Sequence, residues 1–323
     1  MSDGLSFHNA PIVIGDDWQR DETYEGVYPS GARVKDAYFS PKEPEDRCIK
    51  SNWRYLFKLS RRRFPWQFWC EIIAYRFGCI IGVEVPPAHI GISKTYEVGV
   101  DTYAALIEWF YDDKDEGYIA GGQFMESHIK DFNRLKGEKH NFKTIRKMPF
   151  NDESWLKYWA EVLVFDTLIG NIDRHQDNWG IIVKRTQKAR ARSIGIKYSP
   201  AFDNGTALCY EILEQNIDKY EDTIMLERYL KGKKAKHHMK WSLDEEGQPN
   251  FYEFMNKFNM AFPQIKHIIA QHLSFTYEQV EEVLAPLVEA VKVPEYKLTR
   301  KRLEFVLKLI FERKRILEET LEL

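Results

Sequence analysis

The segment GNIDRHQDNWG, residues Gly170–Gly180, follows a stretch of helical periodicity and precedes a strand-like one, which predicts a loop. The loop places Asp173, Arg174, His175 and Asn178 within six residues, and Asn178 stands five positions after Asp173. Phosphoryl transfer requires a carboxylate that orients the attacking hydroxyl and oxygen ligands that hold Mg²⁺ on the phosphates. Protein kinases supply both from an Asp-x-x-x-x-Asn loop. The pattern therefore predicts a loop built for phosphoryl transfer.

A second acidic position lies 25 residues after Asn178, in AFDNG, residues Ala201–Gly205. Between them, Trp179–Lys184 and Ile194–Ser199 flank a basic, polar stretch, which is typical of a β-hairpin. A kinase-like fold places its catalytic loop, a hairpin and a second metal ligand in this order. The order indicates that Asp203 belongs to the same site as the loop.

The residues before the loop contain the remaining parts of such a site. Lys58 lies inside the strand-like Trp53–Ser60, where an unpaired buried cation would be costly, and Glu71 on the predicted helix Gln67–Gly82 could pair with it. A lysine–glutamate pair holds the α- and β-phosphates in protein kinases. Tyr28–Lys35, YPSGARVK, is a glycine-containing turn that could cover phosphates with backbone N–H groups.

These segments resemble the HipA-like serine/threonine kinases, a bacterial group that includes toxin kinases and free-standing relatives. The likeness covers roughly residues 25–275 and is strongest in GNIDRHQDN and AFDNG. An aspartate before Arg-His, instead of after His-Arg, is the order of this group and of phosphoinositide-kinase-like enzymes. The chain resembles the shorter forms, which lack an N-terminal extension. It has Ala207-Leu208-Cys209 where close relatives are expected to carry Ser-Leu-Gly, so the segment that faces the substrate departs from the group.

The resemblance implies an ATP-dependent Ser/Thr protein kinase with ATP and Mg²⁺ as cofactors. Asp173 would be the catalytic base, and Asn178 and Asp203 would be the metal ligands. The residues that would bind the nucleotide are Ser30, Gly31, Ala32, Arg33, Lys58, Glu71, Glu108, Trp109, Phe110 and His175. Ser30 is either a turn residue or an autophosphorylation site. A phosphate on Ser30 would add negative charge where ATP binds, so phosphorylation there would oppose nucleotide binding.

Structural roles stay open for several of these residues. Asp173 and Asn178 could make Asx turns or cap a helix, and Lys58 with Glu71 could be a structural ion pair. His175 is more typical of an orienting residue than of a proton carrier.

Arg174 is predicted to pair with Asp166 or Asp177. Two alternative functions also stay open. The chain could be a small-molecule or phosphoinositide kinase, or it could be a nucleotide-binding pseudokinase that acts as a partner-binding module.

The predicted fold class is α+β, with the two lobes of a protein-kinase-like (HipA and phosphoinositide-kinase-like) fold. Residues 1–115 would form a β-rich N-terminal lobe with the phosphate turn, the lysine strand and the glutamate helix. Residues 116–323 would form a helical C-terminal lobe with the catalytic loop and the metal-binding aspartate. In this lobe, Asp152–Ile169 predicts an amphipathic helix and Phe251–Leu323 predicts three helical segments.

Composition predicts a soluble, cytoplasmic protein, and the resemblance implies a bacterial one, with delivery as a secreted effector left open. The 323 residues carry a net charge of −2 and four scattered cysteines, and they contain neither a signal-peptide pattern nor a membrane-spanning run. Predicted partners are a protein substrate and, from the resemblance, a HipB-like antitoxin or a DNA-bound partner. The basic run Arg228–Lys240 is either a solvated face or a contact for an acidic partner or nucleic acid.

Overall fold

A computed structural model describes residues 5–24, 34–97, 100–149, 152–188, 191–232 and 235–323. Its first part is a six-stranded mixed sheet with the strand order β1-β5-β6-β4-β3-β2. The strands are β1 Ile12–Ile14, β2 Gln19–Arg20, β3 Lys35–Phe39, β4 Arg54–Lys58, β5 Ala88–Glu97 and β6 Val100–Glu108. Only β1 and β5 pair in parallel; the other neighbours among these strands are antiparallel.

One helix packs against this sheet. Pro65–Phe68 forms a single 3₁₀ turn that leads into α1, Trp69–Ile81. The helix ends at Gly82, which adopts the left-handed conformation (φ 73°) that favours glycine at a helix C-terminus. The helix predicted from the apolar spacing and the glycine stop is therefore confirmed, with its first turn tighter than an α-helix.

A second sheet, β7-β8-β9, contains the predicted hairpin. Its strands are β7 Glu116–Ala120, β8 Gly180–Lys188 and β9 Ala191–Tyr198. Gly121 follows β7 directly, and a Cβ there would lie 2.3 Å from the Trp179 ring, so only glycine fits this approach to the end of the catalytic loop.

The remaining α-helices follow α1 in the chain. They are α2 Gly121–His128, α3 Phe142–Ile145, α4 Glu153–Ile169, α5 Thr223–Lys231, α6 Phe251–Ala261, α7 Lys266–His272, α8 Tyr277–Leu284 and α9 Arg300–Leu321. Of these, α4 packs against α6, α7 and α9. Asp152 caps α4 by accepting the Trp155 N–H at 3.2 Å, and Gly170 (φ 67°) ends it. Phe251–Leu323, described throughout, holds four α-helices where the sequence predicted three, because short turns at Pro263–Ile265 and Ala285–Glu289 divide the apolar pattern.

Two apolar clusters hold these elements together. The larger one is continuous from α1 and β5 to α4, α6 and α9. The smaller one lies on the opposite face of the first sheet and includes Ile12, Trp18, Tyr55, Phe57 and Leu106. The larger cluster is therefore a core that the first sheet shares with the helices. In the part of the chain that the structure describes, no helix has the length and apolar character that crossing a membrane requires.

Candidate active site

One cavity brings together residues from β4, from the end of β6, from the catalytic loop and from the segment after β9. Of the residues predicted to form the site, those that line it are Lys58, Glu108, Trp109, Phe110, Asp173, His175, Asn178 and Asp203. Glu71 reaches the site through Lys58. Ser30, Gly31, Ala32 and Arg33 lie outside the described residues, so their predicted roles stay predictions.

Lys58 forms the predicted ion pair with Glu71 and a second pair that the sequence did not predict. Its Nζ lies 2.7 Å from Glu71 Oε1 and 2.6 Å from Asp203 Oδ1, and the residue is only 4% exposed. The other carboxylate oxygen of Glu71 accepts the Asn204 N–H at 2.9 Å. Strand β4, helix α1 and the segment after β9 therefore meet at one buried cation.

The catalytic loop is held by its own backbone and amide groups. The N–H of Asp173 donates to Asn171 Oδ1 at 3.1 Å, so the side chain of Asn171 forms an Asx turn at the start of the loop. The Asp173 carbonyl accepts from His175 N at 2.8 Å and from Asn178 Nδ2 at 2.7 Å. Because the Asn178 amide nitrogen is engaged, its Oδ1 is the atom that remains for a metal.

Arg174 joins the loop to the segment after β9. Its Nε and Nη2 donate to the two oxygens of Asp166 at 2.9 and 2.7 Å, while Nη1 donates to the carbonyls of Asn178 and Phe202. Nη2 also donates to Asn204 Oδ1 at 3.0 Å. The residue is 1% exposed. Burial lowers the pKa of Arg174 and the Asp166 carboxylate raises it, with a net upward shift, so the guanidinium stays charged.

Asp166 is thus the partner of Arg174, and the other predicted candidate is used elsewhere. Asp177 Oδ1 accepts from Arg134 Nε at 2.9 Å. Arg174 contacts two backbone carbonyls and two side chains of the protein, which supports a structural role.

Glu108–Phe110, the segment that the resemblance places at the adenine-binding hinge, lines the cavity. The Glu108 N–H donates to Pro87 O at 2.8 Å. The carbonyl of a strand residue points to the same neighbouring strand as its N–H, so the Glu108 carbonyl also faces Pro87. Proline has no N–H, so Pro87 cannot donate a hydrogen bond to that carbonyl. By contrast, the Trp109 N–H donates to Arg54 O at 3.0 Å, and its carbonyl accepts from Trp53 Nε1 at 2.8 Å. The carbonyl of Glu108 is therefore the hinge group best suited to a ligand donor.

Aromatic rings form part of the cavity wall between Glu108–Phe110 and Asp203, the predicted metal ligand. Phe110 stacks on Phe202 with ring centroids 5.0 Å apart, and both line the cavity. The next residue, Asp203, has φ 56°, a left-handed conformation that is uncommon outside glycine and that frequently marks functional positions.

The donor set fits Mg²⁺. Asn178 and Asp203 offer amide and carboxylate oxygens, which hard divalent cations prefer, and Mg²⁺ is commonly held by one or two carboxylates together with phosphate oxygens. Among the described residues, no cluster of three or more His, Cys, Asp or Glu side chains is arranged to hold a metal by itself. Any Mg²⁺ held by Asn178 and Asp203 would therefore complete its coordination with phosphate oxygens and water.

The sequence interpretation gave no role at this site to several polar residues, among them Lys35, Arg61, Thr206 and His238. Lys35, Arg61 and Thr206 line the cavity, and Lys35 is the register partner of Lys58 across β3 and β4. The ring of His238 lies 5.8 Å from that of His175. Lys35 is the last residue of the predicted phosphate turn, and Arg61 is the first of three consecutive arginines. Both features could be seen in the sequence, but neither indicated a contact with the cavity.

The basic run Arg228–Lys240 has buried and exposed side chains side by side. His237 and Met239 are each at most 1% exposed, whereas Arg228 and Lys236 are exposed, so both predicted roles of the run stay open. Burial lowers the pKa of His238, whereas the charge of Asp173 opposes that shift, which places this ring near the catalytic loop.

Comparison with solved structures identifies the fold. The crystal structure of the Helicobacter pylori proinflammatory kinase CtkA matches with a TM-score of 0.71 and 16% sequence identity, over 96% of each chain. The chain has a kinase fold. The predicted α+β kinase-like class, and the resemblance at the level of the fold, are therefore confirmed.

Two further solved structures are similar to a lesser degree. One is HipA from Shewanella oneidensis MR-1 in complex with HipB and operator DNA, with a TM-score of 0.44, 12% identity and coverage of 95% of this chain and 73% of that chain. The other is hydra Fam20 with sugar, with a TM-score of 0.42, 11% identity and coverage of 97% and 86%. No protein-family model and no curated protein sequence matches the chain.

Proposed function

We propose that the chain is an ATP-dependent kinase that phosphorylates serine or threonine hydroxyls of proteins. The observation that supports this most is the cavity that collects the hinge, Lys58, Asp173, Asn178 and Asp203. These groups come from segments far apart in the chain, and together they offer contacts for the base, the phosphates and the metal ion of a nucleotide. A lobe boundary near residue 115, just after the hinge, belongs to the same proposal.

Nucleotide binding is assigned to three groups of atoms. The Glu108 carbonyl would accept a hydrogen bond from the amino group of adenine, because Pro87, which lies opposite it on the neighbouring segment, has no N–H to donate. Lys58, fixed by Glu71, would contact the α- and β-phosphates. The turn that contains Ser30–Arg33 would cover the phosphates with backbone N–H groups.

The chemical step is assigned to Asp173. The acceptor oxygen would bond to the γ-phosphorus as the bond to the β–γ bridging oxygen breaks and ADP leaves. The hydroxyl proton would pass to the Asp173 carboxylate. When bound at Asn178 and Asp203, Mg²⁺ would neutralise charge on the phosphates. Arg174 would keep the two segments that carry these residues in register.

Transfer of labelled γ-phosphate from ATP tests the proposal. The wild type, Asp173→Asn and Asp203→Ala would be incubated with Mg²⁺ and labelled ATP, alone and with protein, lipid and sugar acceptors. We expect label on the chain itself or on a protein acceptor, and loss of label in both variants. Peptide mapping would then show whether Ser30 carries the label.

Two other results would change the assignment. Label on a lipid or a sugar alone would indicate a small-molecule kinase. Nucleotide binding without any transfer or hydrolysis would indicate a binding module. Transfer that survives in Asp173→Asn would remove Asp173 from the chemistry.

A further inference from the structure

Arg61 lies on the side of the cavity away from the hinge. Strand β4 begins beside the hinge, where Arg54 O accepts the Trp109 N–H at 3.0 Å, and it ends at Lys58. Arg61 follows three residues later and still lines the cavity. Arg61 therefore follows the Lys58 end of β4, whereas the Arg54 end of this strand lies beside Trp109.

A buried glutamine fixes Arg61 against the segment that follows the metal aspartate. The Arg61 N–H donates to Gln67 Oε1 at 3.2 Å, and Gln67 Nε2 donates to Gly205 O at 2.7 Å. Gln67 is 0% exposed. Thr206, the next residue along, lines the cavity with Arg61. The backbone of Arg61 is therefore tied to the segment after Asp203, and its side chain lines the same cavity as Asp173.

The side chain of Arg61 has no hydrogen bond or ion pair within the described part of the chain, and its Nε is buried without a partner. Lys58, which also lines the cavity, differs from Arg61 because its ammonium group pairs with two carboxylates. A buried guanidinium N–H without an acceptor is unfavourable until a ligand supplies one. Arginine is also the side chain best shaped to bind carboxylate or phosphate oxygens in a bidentate manner.

The arginine run extends this positive charge from the cavity to the surface. Arg61 is half-buried, whereas Arg62 and Arg63 are exposed. A ligand that satisfied the run would have to leave the cavity and cross its rim. An acceptor polypeptide does so, whereas the phosphates of a nucleotide are placed beside Lys58, closer to the hinge.

We propose that Arg61, supported by Arg62, binds an acidic side chain of the acceptor, so that the enzyme selects a serine or threonine flanked by carboxylates. This inference rests on the proposed kinase function and names its substrate class. It assigns Arg61 to acceptor specificity, and it leaves adenine and phosphate binding to the residues described above.

Peptide binding tests the proposal without requiring turnover. Three fluorescent peptides would differ only in the residues that flank a central serine, which would be Glu, Gln or Lys. Anisotropy would be measured with the full chain, Mg²⁺ and a non-hydrolysable ATP analogue. We expect the Glu peptide to bind about tenfold more tightly than the Gln peptide, which is the size of one charge-assisted hydrogen bond.

Variants assign the effect to the residue. Arg61→Gln should remove the preference for Glu, and Arg62→Gln should weaken it less. Arg315→Gln is the matched control, because Arg315 is an exposed arginine of α9 that pairs with Glu319 at 2.6 Å, and it should keep the full preference. Equal binding of the Glu and Gln peptides to the wild type, or a preference that survives in Arg61→Gln, would overturn the inference.

The inference and the proposed function fail in different ways. Phosphate transfer without any preference for acidic flanks would leave the kinase and remove the role of Arg61. A preference that depends on Arg61 in a chain that transfers no phosphate would leave the acidic-peptide site and remove the kinase. An Arg61→Gln chain that weakens ATP binding and leaves peptide binding unchanged would assign Arg61 to the nucleotide instead.

Discussion

Lys58 Nζ lies 2.6 Å from Asp203 Oδ1, a contact that joins strand β4 to the segment after the β8–β9 hairpin. The same nitrogen holds Glu71 at 2.7 Å, so one buried cation balances two carboxylates. Removing one partner of a buried ion pair leaves a charge without compensation, which is more costly than removing both. Lys58 is therefore both a candidate phosphate ligand and the group that makes its acidic surroundings stable.

Replacement of Lys58 should affect nucleotide binding and stability together. In Lys58→Met we expect ATP affinity to fall by about 10- to 100-fold, because a charge-assisted hydrogen bond contributes roughly 1.5–3 kcal/mol. We also expect the free energy of unfolding to fall by about 3–5 kcal/mol, because Glu71 and Asp203 lose their counter-ion. Isothermal titration with ATP and urea unfolding measure the two effects. Wild-type ATP affinity in a folded Lys58→Met chain would argue against the phosphate role.

The role of Asp173 predicts a loss of rate without a loss of binding. Asp173→Asn should lower the rate of phosphate transfer by at least about a hundredfold and leave ATP affinity nearly unchanged, since the removed group acts on the acceptor proton. Asp152→Asn is the control, because this carboxylate caps α4 away from the site and asparagine caps helices equally well. A proportional loss of rate in both variants would show a general effect of charge.

Much of the local structure follows from short sequence signals. Helix α4 begins after Asp152 and ends at Gly170. Each of these residues sets a helix end through contacts with residues close to it in the chain, so the signals can be recognised in the sequence. The two strand-like segments on either side of the polar stretch likewise predicted the β8–β9 hairpin from local sequence alone. The kinase fold could be predicted because its functional loop lies between these two local elements.

The contacts that complete the site could not be predicted in this way. The ion pair of Lys58 with Asp203 joins residues 145 positions apart, and the approach of His238 to His175 depends on how a long irregular segment packs. Clamping of Arg61 by Gln67 likewise needs Gly205 to be nearby. Such contacts depend on tertiary packing, which the spacing of residues along the chain does not predict.

The buried pair of Arg174 and Asp166 is expected to be structural. Arg174→Met should lower the free energy of unfolding by about 3–5 kcal/mol, because it leaves the fully buried Asp166 without its counter-ion. The double variant Arg174→Met with Asp166→Leu removes both charges and should recover a large part of that loss. Urea unfolding of the single and double variants measures the coupling. Full stability in Arg174→Met would show that the pair contributes little to the fold.

Buried histidines should make the protein sensitive to mild acid. Burial lowers the pKa of His89 to about 4 and that of His237 to about 3, whereas an unfolded histidine titrates near 6.5. Between these values the unfolded chain binds protons that the folded chain does not, so stability is fully present above about pH 6.5 and falls as the pH drops. Each of these residues should lower the free energy of unfolding by about 2 kcal/mol at pH 5 relative to neutral pH.

His89→Gln isolates this effect, because its packing cost is the same at both pH values and cancels in the difference. Urea unfolding, followed by tryptophan fluorescence at pH 7.5 and pH 5.0, should show a drop in stability about 2 kcal/mol smaller in His89→Gln than in the wild type. His267→Gln alters an exposed ring and should reproduce the wild-type drop. If His89→Gln loses as much stability as the wild type between the two pH values, His89 is protonated in the folded protein, and acid sensitivity must come from other groups.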